Sequence, residues 1–142
     1  MRILFTVFAA LIVVGCLERD LLVDLSDSRG PTEIDLRSGQ SVLLAREGLL
    51  ITFTGVTGDS RCPIGAMCVW AGDAGSRLVI RPKSSEASAC TLHTTLDPKF
   101  VSGDGVTVRL KQLNPYPRLG GSIDPADYVS TLEITRSRMA PM

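Results

Sequence analysis

Positive charge is not in surplus in this chain. Fifteen Lys and Arg balance fifteen Asp and Glu. No basic run or stripe is present, which excludes the electrostatic footprint of a nucleic-acid binder. Aromatic residues are few: four Phe, two Tyr and one Trp. The apolar content lies in Leu, Val, Ile and Ala, so the core is small and a covalent staple would help it. There is one histidine, His93. A Ser-His-Asp or Cys-His arrangement would have to use it. Ser88 and Cys90 lie near it in sequence, but neither sits in a nucleophile-elbow pattern, and His93 reads as an exposed strand histidine. Asp124 and Asp127 read as turn and cap residues rather than glycosidase carboxylates. No catalytic residue and no cofactor is expected. Repeats and long low-complexity tracts are also absent. The longest apolar run is about a dozen residues, too short for a comfortable transmembrane helix.

That run, Ile3 to Val14, follows Arg2 and ends in Val13-Val14-Gly15-Cys16. Its length and flank match a signal-peptide core. The ending resembles the bacterial lipobox, which implies cleavage after Gly15 and acylation of Cys16 with palmitate-type chains. The alternative is an ordinary secretory signal with an incidental cysteine. Several acyl chains, each burying methylenes at roughly 0.8 kcal/mol apiece, would anchor the protein to a membrane surface without spanning it. Leu17 stands where an inner-membrane retention signal of enteric bacteria would have Asp. The expected location is therefore the cell envelope, at the outer membrane in preference to the inner. The expected division is a lipoprotein signal peptide over 1–15, a lipidated N-terminus and tether over 16–31, a folded domain over 32–138 and a C-terminal tail over 139–142. Within the tether, Asp20 to Leu25 could order against the body. A mature chain of about 127 residues suits one domain.

Four cysteines are present, and the first belongs to the lipid. In an oxidising envelope, Cys62 and Cys68, five residues apart across Pro63-Ile64-Gly65-Ala66-Met67, are expected to form a local disulfide. The loop is short, so the entropic gain is about 2–3 kcal/mol. Cys90 is left unpaired and is expected to be free and mostly buried.

From Thr32 onward the chain alternates with a period of two. Seven short segments do so, around Ile34 and Leu36, Gln40–Ala45, Leu49–Phe53, Leu78 and Ile80, Leu92–Leu96, Val106–Leu110, and Leu132 and Ile134. Turn signals separate them, among them Ser38-Gly39, Gly58-Asp59 and Ser102-Gly103-Asp104-Gly105. This pattern predicts an all-β fold: a small antiparallel β-sandwich or partly open barrel of about six to eight strands. No helical stripe is visible beyond the signal. A single helical turn is expected near Asp124–Tyr128, with Asp124 as cap and Pro125 in the first helical position.

The stretch Asp59-Ser60-Arg61-Cys62-Pro63, then Cys68-Val69-Trp70-Ala71-Gly72-Asp73-Ala74, resembles a group of small bacterial envelope proteins, many of them predicted lipoproteins. These carry a D-S-R-C-P-x(4)-C-V-W-A-G-x-A motif. Two later segments fit the same group: Leu113-Asn114-Pro115-Tyr116-Pro117 and Tyr128-Val129-Ser130-Thr131-Leu132. The resemblance spans about Gly48 to Arg136. It implies an all-β fold and brings no activity with it. Cys90 lies outside its pattern.

Two roles are open for the stapled segment. In the structural one, Trp70 packs on the core beside the disulfide, as tryptophan does in small sandwiches, and Gly72 permits a tight bend or a close backbone approach. In the functional one, Arg61, Pro63, Ile64, Gly65, Ala66, Met67 and Trp70 form a pre-shaped interaction loop that contacts another envelope protein or blocks a protease. Arg61 has three candidate partners: Asp59, Asp73, or the carbonyls of the stapled loop. A metal-binding envelope protein is a further alternative, with zinc on Cys62, Cys68, Cys90 and His93 or calcium on Asp59, Asp73, Asp104 and Asp124. Against zinc, the envelope favours a disulfide, and a Cys90–His93 pair three apart in a strand points to opposite faces. The expectation is a membrane-anchored, non-enzymatic accessory or protein-interaction module with no bound metal.

Overall fold

The computed structural model describes residues 30–136. The readings placed on 1–29, including the apolar run, Cys16 and the tether, and those placed on the last six residues lie outside them. Among the described residues no helix is long and apolar enough to cross a membrane.

Among the described residues, eight strands form two four-stranded antiparallel sheets. They are β1 (Thr32–Arg37), β2 (Ser41–Leu44), β3 (Leu49–Asp59), β4 (Ala74–Pro82), β5 (Ser88–His93), β6 (Phe100–Gly103), β7 (Val106–Asn114) and β8 (Val129–Arg136). One sheet has the order β1-β8-β7-β6 and the other β2-β3-β4-β5. The fold is thus a sandwich rather than a barrel. β6 is the strand that the alternation did not reveal. It is four residues long, and only Val101 packs against the core.

Alternation accounts for the other strands, although the segment expected at Leu92–Leu96 is displaced: the strand is Ser88–His93, and Leu96 lies exposed beyond its end. Leu49, Ile51 and Phe53 of β3, Leu78 of β4 and Leu132 and Ile134 of β8 are buried between the sheets, while their neighbours point outward. The inward set is aliphatic apart from Phe53 and Tyr128. In β7, Val106, Val108 and Leu110 face inward. A register shift between Leu110 and Gln112 then reverses the parity, so that Leu113 also faces inward. An inserted residue in one strand has this consequence because side chains alternate with a period of two. The core holds one polar pair, the hydroxyls of Ser76 and Ser130, which satisfy each other at 2.9 Å across the sheets.

The sandwich has two dissimilar poles. Thr32 pairs with Ile134 and Val106 with Arg136, so both ends of the described chain leave from one pole. The Asp104-Gly105 turn is there too, with positive φ at both residues. At the opposite pole β3 ends and β4 begins, and β7 ends and β8 begins. The two long connections at that pole, 60–73 and 115–128, carry the segments singled out by sequence. The second contains the expected helical turn, Pro125–Asp127, with the Asp124 carboxylate accepting from the Ala126 N–H at 2.9 Å.

Candidate functional site: the stapled loop pole

The 60–73 connection begins as a continuation of the β3–β4 hairpin. The Ser60 N–H donates to the Asp73 carbonyl at 2.7 Å and the Cys62 N–H to the Ala71 carbonyl at 2.9 Å. Two chains approach so closely here that position 72 has no room for a side chain. A Cβ on Gly72 would lie 1.8 Å from the Ser60 carbonyl oxygen, and its φ is +71°. Beyond this neck, Cys62 and Cys68 are joined, with Cα atoms 5.9 Å apart. Pro63–Ala66 closes a turn through the Ala66 N–H and Pro63 carbonyl at 3.0 Å. The second loop braces the first. The Ile64 N–H donates to the Pro117 carbonyl at 2.9 Å, and the Leu119 N–H to the Ile64 carbonyl at 3.1 Å.

Arg61 fastens this assembly to the sandwich. Its residue is only 5% exposed. Its Nε donates to Asp59 Oδ1 at 2.8 Å and its Nη2 to Asp59 Oδ2 at 2.5 Å, a two-pronged pair. The remaining donors reach the carbonyls of Leu113 at 2.6 Å and Pro115 at 2.9 Å. The guanidinium also lies over the Tyr116 ring, 4.7 Å from its centroid. The Tyr128 hydroxyl completes the network on Asp59 Oδ2 at 3.0 Å. Of its candidate partners, Arg61 takes Asp59; the carbonyls it reaches belong to Leu113 of β7 and to Pro115 just beyond that strand, not to the stapled loop. Burial works to raise the Asp59 carboxyl, but the bonds from Arg61 and Tyr128 outweigh it and hold the carboxyl below its ordinary value. Burial and the Asp59 contact push the Tyr128 hydroxyl up. The three motif segments, 59–63, 113–117 and 128–132, are far apart in sequence and meet in this one cluster.

Trp70 departs from the expected core position. It is 81% exposed, alongside Met67 (103%), Val69 (89%), Leu119 (66%) and Ile64 (52%). The physical reason lies below it. At this pole the space between the sheets is already closed by Leu113, Tyr128 and the Arg61 guanidinium, which are all buried. The residues after the staple therefore project past the ends of the strands. Trp70→Ala is expected to change stability by no more than about 0.5 kcal/mol, the usual range for a surface site. Tryptophan emission of the native protein should be red-shifted and readily quenched by iodide. A blue-shifted, protected signal would contradict this placement.

Asp73 and His93 form a second polar group beside the neck. Asp73 Oδ2 accepts from His93 Nδ1 at 2.6 Å, and Oδ1 accepts from the backbone N–H groups of Thr95 at 2.9 Å and Leu96 at 3.2 Å. His93 is thus a partly buried, carboxylate-bound ring rather than the exposed strand histidine expected from sequence; its side chain is 26% exposed. Burial tends to raise the Asp73 carboxyl, but these donors overcome it and lower it to about 2. A folded-state value below the ordinary carboxylate value means stability that is present above about pH 4 and is lost as pH falls toward 2. Acid titration of the fold should show this loss, and Asp73→Asn should flatten the curve in that window. An unchanged acid transition in the variant would refute the assignment.

The other sequence candidates are not brought together. Cys90 is free, half-buried and packed against the core, and burial raises its thiol. It faces inward with Leu92, whereas His93 faces outward. Ser88 pairs with Ile80 at the far end of β5. The zinc set fails because two of its sulfurs are spent in the disulfide. The four aspartates are dispersed: Asp59 on Arg61, Asp73 on His93, Asp104 in a turn at the other pole and Asp124 in its cap. Among the described residues no group of three or more His, Cys, Asp or Glu is placed to hold a metal. The chain matches no protein-family model, no curated protein and no solved structure.

Proposed function

We propose that this protein is a lipid-anchored, non-catalytic module of the bacterial envelope whose stapled loop is a contact surface for another protein. One observation carries the reading. Ile64, Met67, Val69, Trp70, Tyr116 and Leu119 stand exposed on two loops that are locked by a disulfide, a buried arginine and the backbone hydrogen bonds of the neck and brace. Isolated exposed apolar residues are ordinary, but a cluster of them marks an interaction site. Trp, Tyr and Met are the residue types that interface centres favour. A loop held in one shape also loses little entropy on binding. The two poles support the same picture, since a tether from Cys16 would enter at one pole and leave the apolar loops at the other, pointing away from the anchoring bilayer.

Two experiments test the reading. Lipidation at Cys16 follows from the Val-Val-Gly-Cys ending, and mass spectrometry of the mature N-terminus should find an acylated cysteine. An unmodified Cys16, or unchanged membrane partition of Cys16→Ser, would remove the anchor. A photo-crosslinking residue at position 70 should give a discrete protein adduct in intact cells, and one at Lys83 on the opposite pole should not. Equal labelling from both positions would argue against a dedicated contact.

A further inference from the structure

We infer that the stapled loop fits the active-site cleft of an endoprotease with a deep apolar primary pocket, with Met67 as the inserted side chain. The inference rests on the proposal that this loop is a protein contact, and it names the class of partner. Met67, Val69 and Trp70 are each more than four-fifths exposed, a projecting set that suits a concave partner. From Cys62 to Gly72 the chain carries no charge, so the receiving pocket is apolar rather than acidic or basic. Met67 is fully exposed to solvent, and its unbranched side chain suits a narrow slot. Among the described residues, the backbone of Met67 to Trp70 makes no hydrogen bond. Its N–H and C=O groups are therefore free to pair, strand-fashion, with the walls of a cleft.

The position of the Met67–Cys68 peptide bond matters most. It lies inside the ring closed by the Cys62–Cys68 disulfide. A protease nucleophile attacking the Met67 carbonyl would break the C–N bond, form an acyl-enzyme on Met67 and release the Cys68 amine, which takes its proton from the enzyme's general acid. In an ordinary substrate that amine diffuses away. Here the disulfide holds Cys68 to Cys62, and the Cys62–Ala71 and Ser60–Asp73 hydrogen bonds hold the strand behind it. On the acyl side, Ile64 is pinned to Pro117 and Leu119. The amine stays beside the acyl carbon and attacks it, its proton returns through the enzyme's general base to the departing nucleophile, and the peptide bond is restored. The held geometry makes this return step effectively intramolecular, which turns a substrate segment into an inhibitor.

The full-length protein, in detergent, should be titrated against chymotrypsin, subtilisin and trypsin. Tight, stoichiometric inhibition of the first two and none of trypsin is expected. Met67→Lys should reverse this preference by on the order of 100-fold, since a primary pocket discriminates on the side chain it receives. Reduction of the disulfide should abolish inhibition. Absence of inhibition, or multiple-turnover cleavage at Met67–Cys68, would overturn the inference. Binding of Cys16→Ser to phosphatidylethanolamine–phosphatidylglycerol vesicles without protease inhibition would overturn it in favour of a bilayer. A concentration-dependent dimer lost in Trp70→Ala, again without inhibition, would overturn it in favour of self-association. If the position-70 adduct persists while the protease panel is negative, only the class of partner is wrong. If both are negative, the contact reading falls with it.

Discussion

Arg61→Ala is expected to destabilise the protein by about 3–5 kcal/mol, the cost of removing one member of a buried ion pair. The loss is not mainly that of attraction. Asp59 would remain with its side chain only 10% exposed and its counter-charge gone. The carbonyls of Leu113 and Pro115 would also lose the donors that satisfy them at 2.6 and 2.9 Å. Orphaned buried acceptors are more costly than the bonds they made were favourable. A typical total stability is about 5–15 kcal/mol, so the variant should unfold at a much lower urea concentration, with an unchanged slope if only stability is affected. Arg61→Lys should rescue little, because an ammonium cannot reproduce a planar fork that reaches two carboxylate oxygens and two carbonyls. A cost below about 1 kcal/mol, within the range of exposed salt bridges, would show that the network is a surface feature.

Gly72→Ala is the second large effect, on the order of 3 kcal/mol. The left-handed backbone accounts for about 1–2 kcal/mol of this. Overpacking adds about 1–3 kcal/mol. The added methyl would meet the Ser60 carbonyl oxygen at 1.8 Å, the Ser60 carbonyl carbon at 2.6 Å and the Arg61 Cα at 2.8 Å. All three are backbone atoms, so no side chain can swing aside. The neck must open, which strains the Ser60–Asp73 and Cys62–Ala71 hydrogen bonds and moves Arg61 off Asp59. Gly120→Ala is the matched control. It has a φ of +74° and open space around the new methyl, so it should cost only the left-handed term. Equal melting temperatures for the two variants would refute the close approach at Gly72. These substitutions also separate the two properties of the loop pole: Arg61 and Gly72 hold its shape, whereas Met67 and Trp70 can be changed without cost to the fold.

What could be read without coordinates was the part governed by local rules. Alternation with a period of two reports which face of a strand is buried, and it was clear wherever three or more apolar residues marked one face, as in β3 and β7. The cysteine spacing with an intervening Pro and Gly led to the staple, and Asp124-Pro125 led to the capped turn. β6 was not legible because a four-residue edge strand that packs one residue against the core has no pattern to show. The Asp73–His93 bond was missed because its members are twenty residues apart on separate strands, and neither has a neighbour in sequence that points to the other.

An all-β chain of alternating strands and a local disulfide are legible in the residue order, because each depends on residues near one another along the chain. Only the tertiary structure decided where the apolar loop residues stand. Whether Trp70 is core or surface depends on what already fills the end of the sandwich. That space is filled by Leu113, Tyr128 and Arg61, from three separate segments. An indole two residues after a disulfide has no local signal of that occupancy, so its apolar character alone pointed inward while the packing of the fold places it in solvent.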